Sequence, residues 1–193
     1  MLDFHTHNLM APMPAIINMP RSWLLHPEQA CLRPETTYSV GVHPWWTNDS
    51  ELKQLMQGLN AWAAHPQVVA IGECGFDRLQ GAEVEMQRAV FETHVQLSEQ
   101  LSKPLTIHCV RAFDELLAVK KQLRPQQQWT IHGFRGKAPL AQQLLKGGMH
   151  LSFGAVHNPE AYAITPPEQR HHETDETTTL WTSEQGRFES ING

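Results

Sequence analysis

The chain has 193 residues, 40% hydrophobic and 18% charged, with 20 acidic and 15 basic side chains and a formal net charge of −5. That balance excludes a protein that grips nucleic acid by basic charge alone, although bound cations can supply positive charge at a phosphate. Three cysteines argue against a disulfide framework and fit a reducing cytoplasm, no apolar run is long enough to span a bilayer, and Met1-Leu2-Asp3-Phe4-His5 lacks the basic-then-apolar opening of a signal peptide.

Short apolar runs recur along the chain. Met1–Phe4, Ala15–Met19, Tyr38–Val42, Val68–Ile71, Leu105–Ile107, Trp129–Ile131, Met149–Phe153 and Arg170–Glu173 read as strands. Helical periodicity fills several of the gaps. Asp49-Ser50 is expected to cap a helix whose Leu52, Leu55, Met56, Leu59 and Trp62 share one face. A longer helix is expected over Glu83–Leu101, with Val90, Phe91, His94, Leu97 and Leu101 inward, stopped by Lys103-Pro104. Phe113, Leu116, Leu117 and Leu123 mark a third, ended by Pro125; Leu140, Leu144 and Leu145 mark a fourth, ended by Gly147-Gly148. Eight strands alternating with helices predict a compact (β/α)8 barrel of the TIM type, with an open doubly wound sheet as the competitor. Residues 8–14 are too few for a full first crossover helix, and 176–193 read as an irregular tail, so the first crossover helix and the C-terminal helix are expected to be abbreviated or missing. The whole chain, 1–193, reads as one domain.

Acids and histidines fall at the strand ends. His5-Thr6-His7 closes the first strand, His43 the third, Glu73 the fourth, His108 the fifth and His132 the sixth, and Asp175 follows the last. In such a barrel these ends meet at one mouth. His5 and His7, two apart on an extended chain, project from one face and can reach one ion. Glu73 lies between Gly72 and Gly75, where unencumbered backbone lets a carboxylate come close to a ligand. Four imidazoles and two carboxylates exceed what one four-coordinate ion needs, so two divalent ions are implied. The nitrogen and oxygen donors suit zinc first, and also manganese, magnesium, nickel or cobalt. A water between the ions would be acidified, and Asp175 could orient it or accept its proton. Cys74 and Cys109, each next to a candidate ligand, read as small core residues. Arg111 and Arg135 could reach a substrate phosphate, and Trp45 with Trp46 could stack on bases. Asp77 reads as shaping the loop after Glu73, and His26, His65, His94, His150 and His157 as structural or solvated.

His5-Thr6-His7, Val42-His43-Pro44, Ile71-Gly72-Glu73-Cys74-Gly75-Phe76-Asp77, Ile107-His108, His132-Gly133-Phe134 and Glu173-Thr174-Asp175 stand in an order that resembles the TatD-like metal-dependent deoxyribonucleases, from residue 2 to about 175. The resemblance implies a binuclear site: His5, His7 and Asp175 on one ion, His108 and His132 on the other, Glu73 bridging. It also implies divalent-metal-dependent hydrolysis of DNA, with His43 binding the substrate phosphate. The chain departs from the family pattern at Trp45, where a histidine is common, at Arg135, where serine is usual, at Glu176 in place of proline, and at His171 and His172 in place of leucines. The helical C-terminal part of the family is absent, so a second copy of the chain could cover the exposed barrel edge.

The expectation is therefore a cytoplasmic phosphodiesterase, acting on DNA that is single-stranded or presented at ends, with Asp175, Glu73 and His43 as the catalytic group and His43, Arg111, Arg135 and Trp45 on the substrate. A small-molecule amidohydrolase or phosphoesterase on the same scaffold, and a truncated non-catalytic metal-binding relic, are the competing readings.

Overall fold

In a computed structural model, which describes residues 1–176, 179–182 and 187–190, eight strands lie parallel and neighbour one another in chain order. They are β1 (Asp3–Thr6), β2 (Ala15–Asn18), β3 (Thr37–Val40), β4 (Val68–Asp77), β5 (Leu105–Val110), β6 (Trp129–Ile131), β7 (His150–Phe153) and β8 (Arg170–His172). Helices fill the crossovers: α1 (Arg21–Leu25), α2 (Leu52–Ala63), α3 (Val84–Leu101), α4 (Phe113–Leu123), α5 (Ala138–Lys146) and α6 (Pro159–Ile164). The architecture is the α/β barrel of the TIM type. As expected, no helix joins β1 to β2, and among the described residues none is long and apolar enough to cross a membrane.

Two boundaries differ from expectation for local reasons. β4 continues past Ile71 to Asp77 because Gly72 and Gly75 take φ values of 137° and 139°, and a Cβ at either would strike the carbonyl oxygen of Thr106 or His108 on β5. Glycine there lets the two strands stay paired through the mouth. Asp49 does not cap α2. Its Oδ1 accepts from the Glu51 amide at 2.9 Å and its Oδ2 from Arg21 at 2.5 Å, so it closes a turn one step before the helix.

The core lies between the barrel and its helices. Phe76 on β4, Phe91 on α3 and Trp129 on β6 pack edge to face at 5.1 and 5.3 Å and are fully buried, each burial favourable by about 1.5–3 kcal/mol. α4 ends on Arg124 at φ 48°, since Pro125 disfavours helical backbone in the residue before it.

The seam between β1 and β8 is closed from within. Thr6 and Asp175 form a parallel bridge, with His7 N–H donating to the Asp175 carbonyl (3.0 Å) and Asp175 N–H to the His5 carbonyl (2.9 Å). Asp3 accepts from the Thr174 amide and hydroxyl at 2.9 and 2.7 Å. The edge that gave a reason to expect a partner subunit is thus paired by the chain itself. The expected irregular tail is also corrected in part: β9 (Thr179–Thr182) and β10 (Arg187–Ser190) pair antiparallel, their threonines and aromatic residues being favourable in strands; residues 177–178, 183–186 and 191–193 lie outside the described part.

Candidate metal centre

Glu73 sits at the centre of the mouth, 3% exposed. Its amide donates to Asn18 Oδ1 (3.0 Å), which also accepts from Ser39 Oγ (3.1 Å), so β2 and β3 fix the backbone that carries the carboxylate. The two carboxylate oxygens face two different sets of side chains. Oε2 lies 3.5 Å from His5 Nε2 and 3.4 Å from His7 Nε2. Those imidazoles in turn lie 3.8 and 3.6 Å from Asp175 Oδ1. Oε1 lies 2.7 Å from His132 Nε2, 2.9 Å from His108 Nδ1 and 3.0 Å from His43 Nε2.

Asp175 reaches this position because its backbone takes a left-handed φ of 53°, turning the carboxylate into the mouth as the chain crosses the seam. Arg111, just past β5, takes φ 54° at the same rim. The structure therefore brings His5, His7, His43, Glu73, His108, His132 and Asp175 together, and Trp45, Arg111 and Arg135 line the space around them.

A second layer of carboxylates was not assigned from the sequence. Glu173, fully buried, accepts from the Gly133 amide at 2.6 Å and lies 3.4 Å from His132 Nδ1. Asp77, read as a loop-shaping residue, also holds the site: its Oδ2 lies 3.0 Å from His108 Nε2 and accepts from the Trp45 indole N–H at 2.7 Å. Carboxylates on the far nitrogen of an imidazole fix its tautomer and orientation. The signal for both was their place in the motifs, Asp77 four residues after Glu73 and Glu173 two before Asp175.

Burial alone would raise the Glu73 carboxyl, but His132, with the hydrogen bonds of His108 and His43, holds it well below the usual carboxylate range. Burial would lower His132, yet Glu73 and Glu173 raise it well above an ordinary imidazole. Burial likewise opposes, and Glu73 and then Asp175 raise, His7. For His43 burial prevails over Glu73 and the net shift is downward. Burial keeps both neighbouring thiols protonated: Cys74 is pushed well up, and Cys109, which lines the cavity, to about 12.

The donor set suits divalent cations. His5 is wholly buried with neither ring nitrogen hydrogen-bonded, a costly arrangement that a coordinated cation would relieve. Donor atoms of His5, His7 and Asp175, of His5, Glu73 and His132, of His43, Glu73 and His108, and of His132, Glu173 and Asp175 each lie within 4.8 Å of one another. Any of these trios could hold an ion.

Among the histidines read as structural, His94 donates and accepts within the core, whereas His150 pairs with His171 (3.0 Å), which stacks on Phe4.

Comparison with known proteins adds to this geometry. The model of a family described as TatD related DNase matches residues 21–177. The human 3′-5′ RNA nuclease TATDN2 is 37% identical over 122 residues, 60% of this chain and 16% of that protein. A Mycobacterium tuberculosis protein described as an uncharacterized metal-dependent hydrolase TatD is 34% identical over 151 residues, 71% of this chain and 56% of that protein. The chain thus spans little more than half, or less, of the length of these relatives. The crystal structure of YJJV, a TatD homologue from Escherichia coli, superposes with a TM-score of 0.73 at 20% identity, covering 98% of this chain and 84% of that one.

Proposed function

Since the chain belongs to the TatD-related DNase family, we propose that it is a divalent-metal-dependent phosphodiesterase acting on nucleic acid, DNA in the first place, with two ions at the barrel mouth. The observation that carries this reading is the split of Glu73: one carboxylate oxygen faces His5 and His7, the other faces His43, His108 and His132. A carboxylate so placed could serve two cations. In this reading His5, His7 and Asp175 would hold one, His108 and His132 the other, with Glu73 shared by both. When bound, the pair would supply Lewis acidity toward the scissile phosphate and an acidified water, and zinc suits the nitrogen-rich donors best.

The chain's own residues do the rest. Glu173 and Asp77 orient His132 and His108 through their far nitrogens. Asp175, whose side chain is 29% exposed, is the group at the mouth able to orient the attacking water and take its proton. His43, held neutral by its buried setting, would bind the substrate phosphate from its place beside Glu73 Oε1. Arg111 and Arg135 supply the fixed positive charge that the net −5 of the chain otherwise lacks. Trp45 offers an exposed face for unpaired bases, which favours single strands and ends. Three free cysteines fit a reducing compartment such as the cytoplasm.

Elemental analysis of the purified protein, paired with cleavage of single-stranded DNA before and after chelation, tests the proposal. About two ions per chain and cleavage that chelator abolishes and zinc, manganese or magnesium restores are expected. Chelator-insensitive cleavage would refute it, and two ions without cleavage would transfer the site to a small-molecule ester or amide.

A further inference from the structure

The buried stripe of α3 is not wholly apolar. Gln87, His94 and Ser98 stand in it among Val90, Phe91 and Val95. A side-chain amide as buried as that of Gln87, 1% exposed, is costly unless its polar atoms find partners. They do, and all the partners belong to one short stretch of backbone. Oε1 accepts from the Asp77 N–H at 2.7 Å. Nε2 donates to the carbonyls of Asp77 at 2.8 Å, Ala82 at 2.8 Å and Gln80 at 3.0 Å. Three carbonyls on one side and an N–H on the other fix which end of the amide is nitrogen, so the side chain has a single arrangement.

The need for it arises in the sheet. β4 runs on to Asp77, but β3 leaves it at Val40, opposite Ile71. On the other side β5 stays paired as far as Val110, opposite Asp77, and the Arg78 N–H donates to the Val110 carbonyl at 3.1 Å. Successive residues of a strand turn their peptide groups to opposite sides, so the N–H and C=O of Asp77 point where β3 no longer runs. The amide of Gln87 stands there instead, offering an acceptor and a donor as a neighbouring strand would.

Asp77 is the residue this arrangement fixes. Its Oδ1 accepts from the Leu79 N–H at 2.8 Å, and its Oδ2 accepts from the Trp45 indole at 2.7 Å and meets His108 Nε2 at 3.0 Å. The other nitrogen of His108, Nδ1, faces Glu73 Oε1 at 2.9 Å. A path of contacts thus runs from α3 through Asp77 and His108 to the metal centre, although Gln87 bonds to none of the donors itself.

We propose, resting on the metal-dependent phosphodiesterase reading, that Gln87 is a positioning residue of the metal centre. By holding the Asp77 backbone it sets the Asp77 carboxylate on His108 Nε2, and so aims His108 Nδ1 at the ion shared with His132.

The test is zinc binding, read by titration against graded chelators, in wild type, Gln87→Met, Asp77→Ala, the double variant and Ser98→Ala. Methionine has nearly the shape of glutamine but pairs with none of the four backbone groups. Gln87→Met should weaken one ion by about tenfold, the low end for groups that orient a metal ligand, and leave the other in place. The weakened ion should be the one that Asp77→Ala weakens. The double variant should hold that ion no more loosely than Asp77→Ala alone, because both changes break the same path. Ser98 shares the buried stripe but donates to the Lys103 carbonyl, before the start of β5 and away from the mouth. Ser98→Ala should therefore lower the melting temperature and leave both ions bound. Should Gln87→Met not fold, Gln87→Glu, which keeps the acceptor for the Asp77 N–H, takes its place with the same expected pattern. Zinc binding equal to wild type, loss of both ions together, or additive losses in the double variant overturns the proposal. Wild-type protein that binds fewer than two ions, or cleaves no phosphodiester, overturns the underlying reading instead. Ring nitrogen NMR of the metal-free protein then decides the positioning role: His108 signals displaced in Gln87→Met but not in Ser98→Ala sustain it, and undisplaced signals end it.

Discussion

Lowering the pH from 7 to 5 is expected to cost the fold about 2 kcal/mol through His94 alone. This residue is wholly buried on α3. Its Nδ1 lies 2.8 Å from the Val90 carbonyl and therefore carries the proton, leaving Nε2 to accept from the Val42 amide at 2.9 Å. Protonating Nε2 would set one N–H against another in a dry core. Burial accordingly lowers its pKa from 6.5 to about 4, with the Val90 carbonyl pulling weakly the other way. The unfolded chain takes up a proton near pH 6.5, the folded chain only near 4. The contribution is thus complete above 6.5 and is lost as pH falls toward 4, reaching a limit of about 3.4 kcal/mol. Urea unfolding of metal-free protein at pH 7.5 and 5, for wild type and His94→Gln, isolates this effect. Glutamine can still accept from Val42 but does not titrate, and His171 and His172, also lowered to about 4, titrate alike in both proteins. The wild type should lose about 2 kcal/mol more than the variant across that interval. An equal loss in both would refute the assignment of a buried neutral imidazole to this position.

Glu73→Ala should abolish both metal occupancy and turnover, read by elemental analysis and DNA cleavage; normal activity would end the binuclear proposal. His43→Ala should impair turnover while leaving metal content unchanged. Metal loss would instead move His43 among the ligands, a place its 3.0 Å approach to Glu73 Oε1 makes geometrically available. Glu173→Gln, which keeps the acceptor for Gly133 but removes the charge beside His132, should weaken binding of one ion by about 10–100-fold while the other stays. Equal retention of both ions in a competition titration with a graded chelator would contradict that positioning role.

The strands and the mouth residues were legible because a barrel places every strand's C-terminal end at one rim, so position in the chain converts directly to position in space. Periodicity found the inward faces of α2 and α3 because a helix packed against the barrel buries one stripe of its surface. Other features were not local in sequence. Asn18, which holds the Glu73 amide, stands alone at the end of β2 with no motif around it. Asp77 and Glu173 sat in recognisable motifs, but their partners, Trp45 with His108 and Gly133 with His132, lie 31 or 32 and 40 or 41 positions away, and only the fold shows which imidazole nitrogen each carboxylate meets. The extension of β4 was missed because the apolar run stops at Ile71 and glycine is a poor strand former. In fact Gly72 and Gly75 keep the strand paired, since only glycine fits against the β5 carbonyls.

The seam explains how the barrel brings donors from both ends of the sheet to one mouth. Barrel closure rests on Glu173-Thr174-Asp175: Thr174 ties to Asp3 and Thr6, and Asp175 bridges the backbone of β1 between His5 and His7. The same three residues bring one carboxylate to His132 and another to His5 and His7. Closing the barrel and assembling the metal centre are therefore one structural event. A cation held by His5, His7 and Asp175 would join β1 to the segment that follows β8, and so stabilise the closed form over any open one by mass action. The donors of these groups all lie between His5 and Asp175.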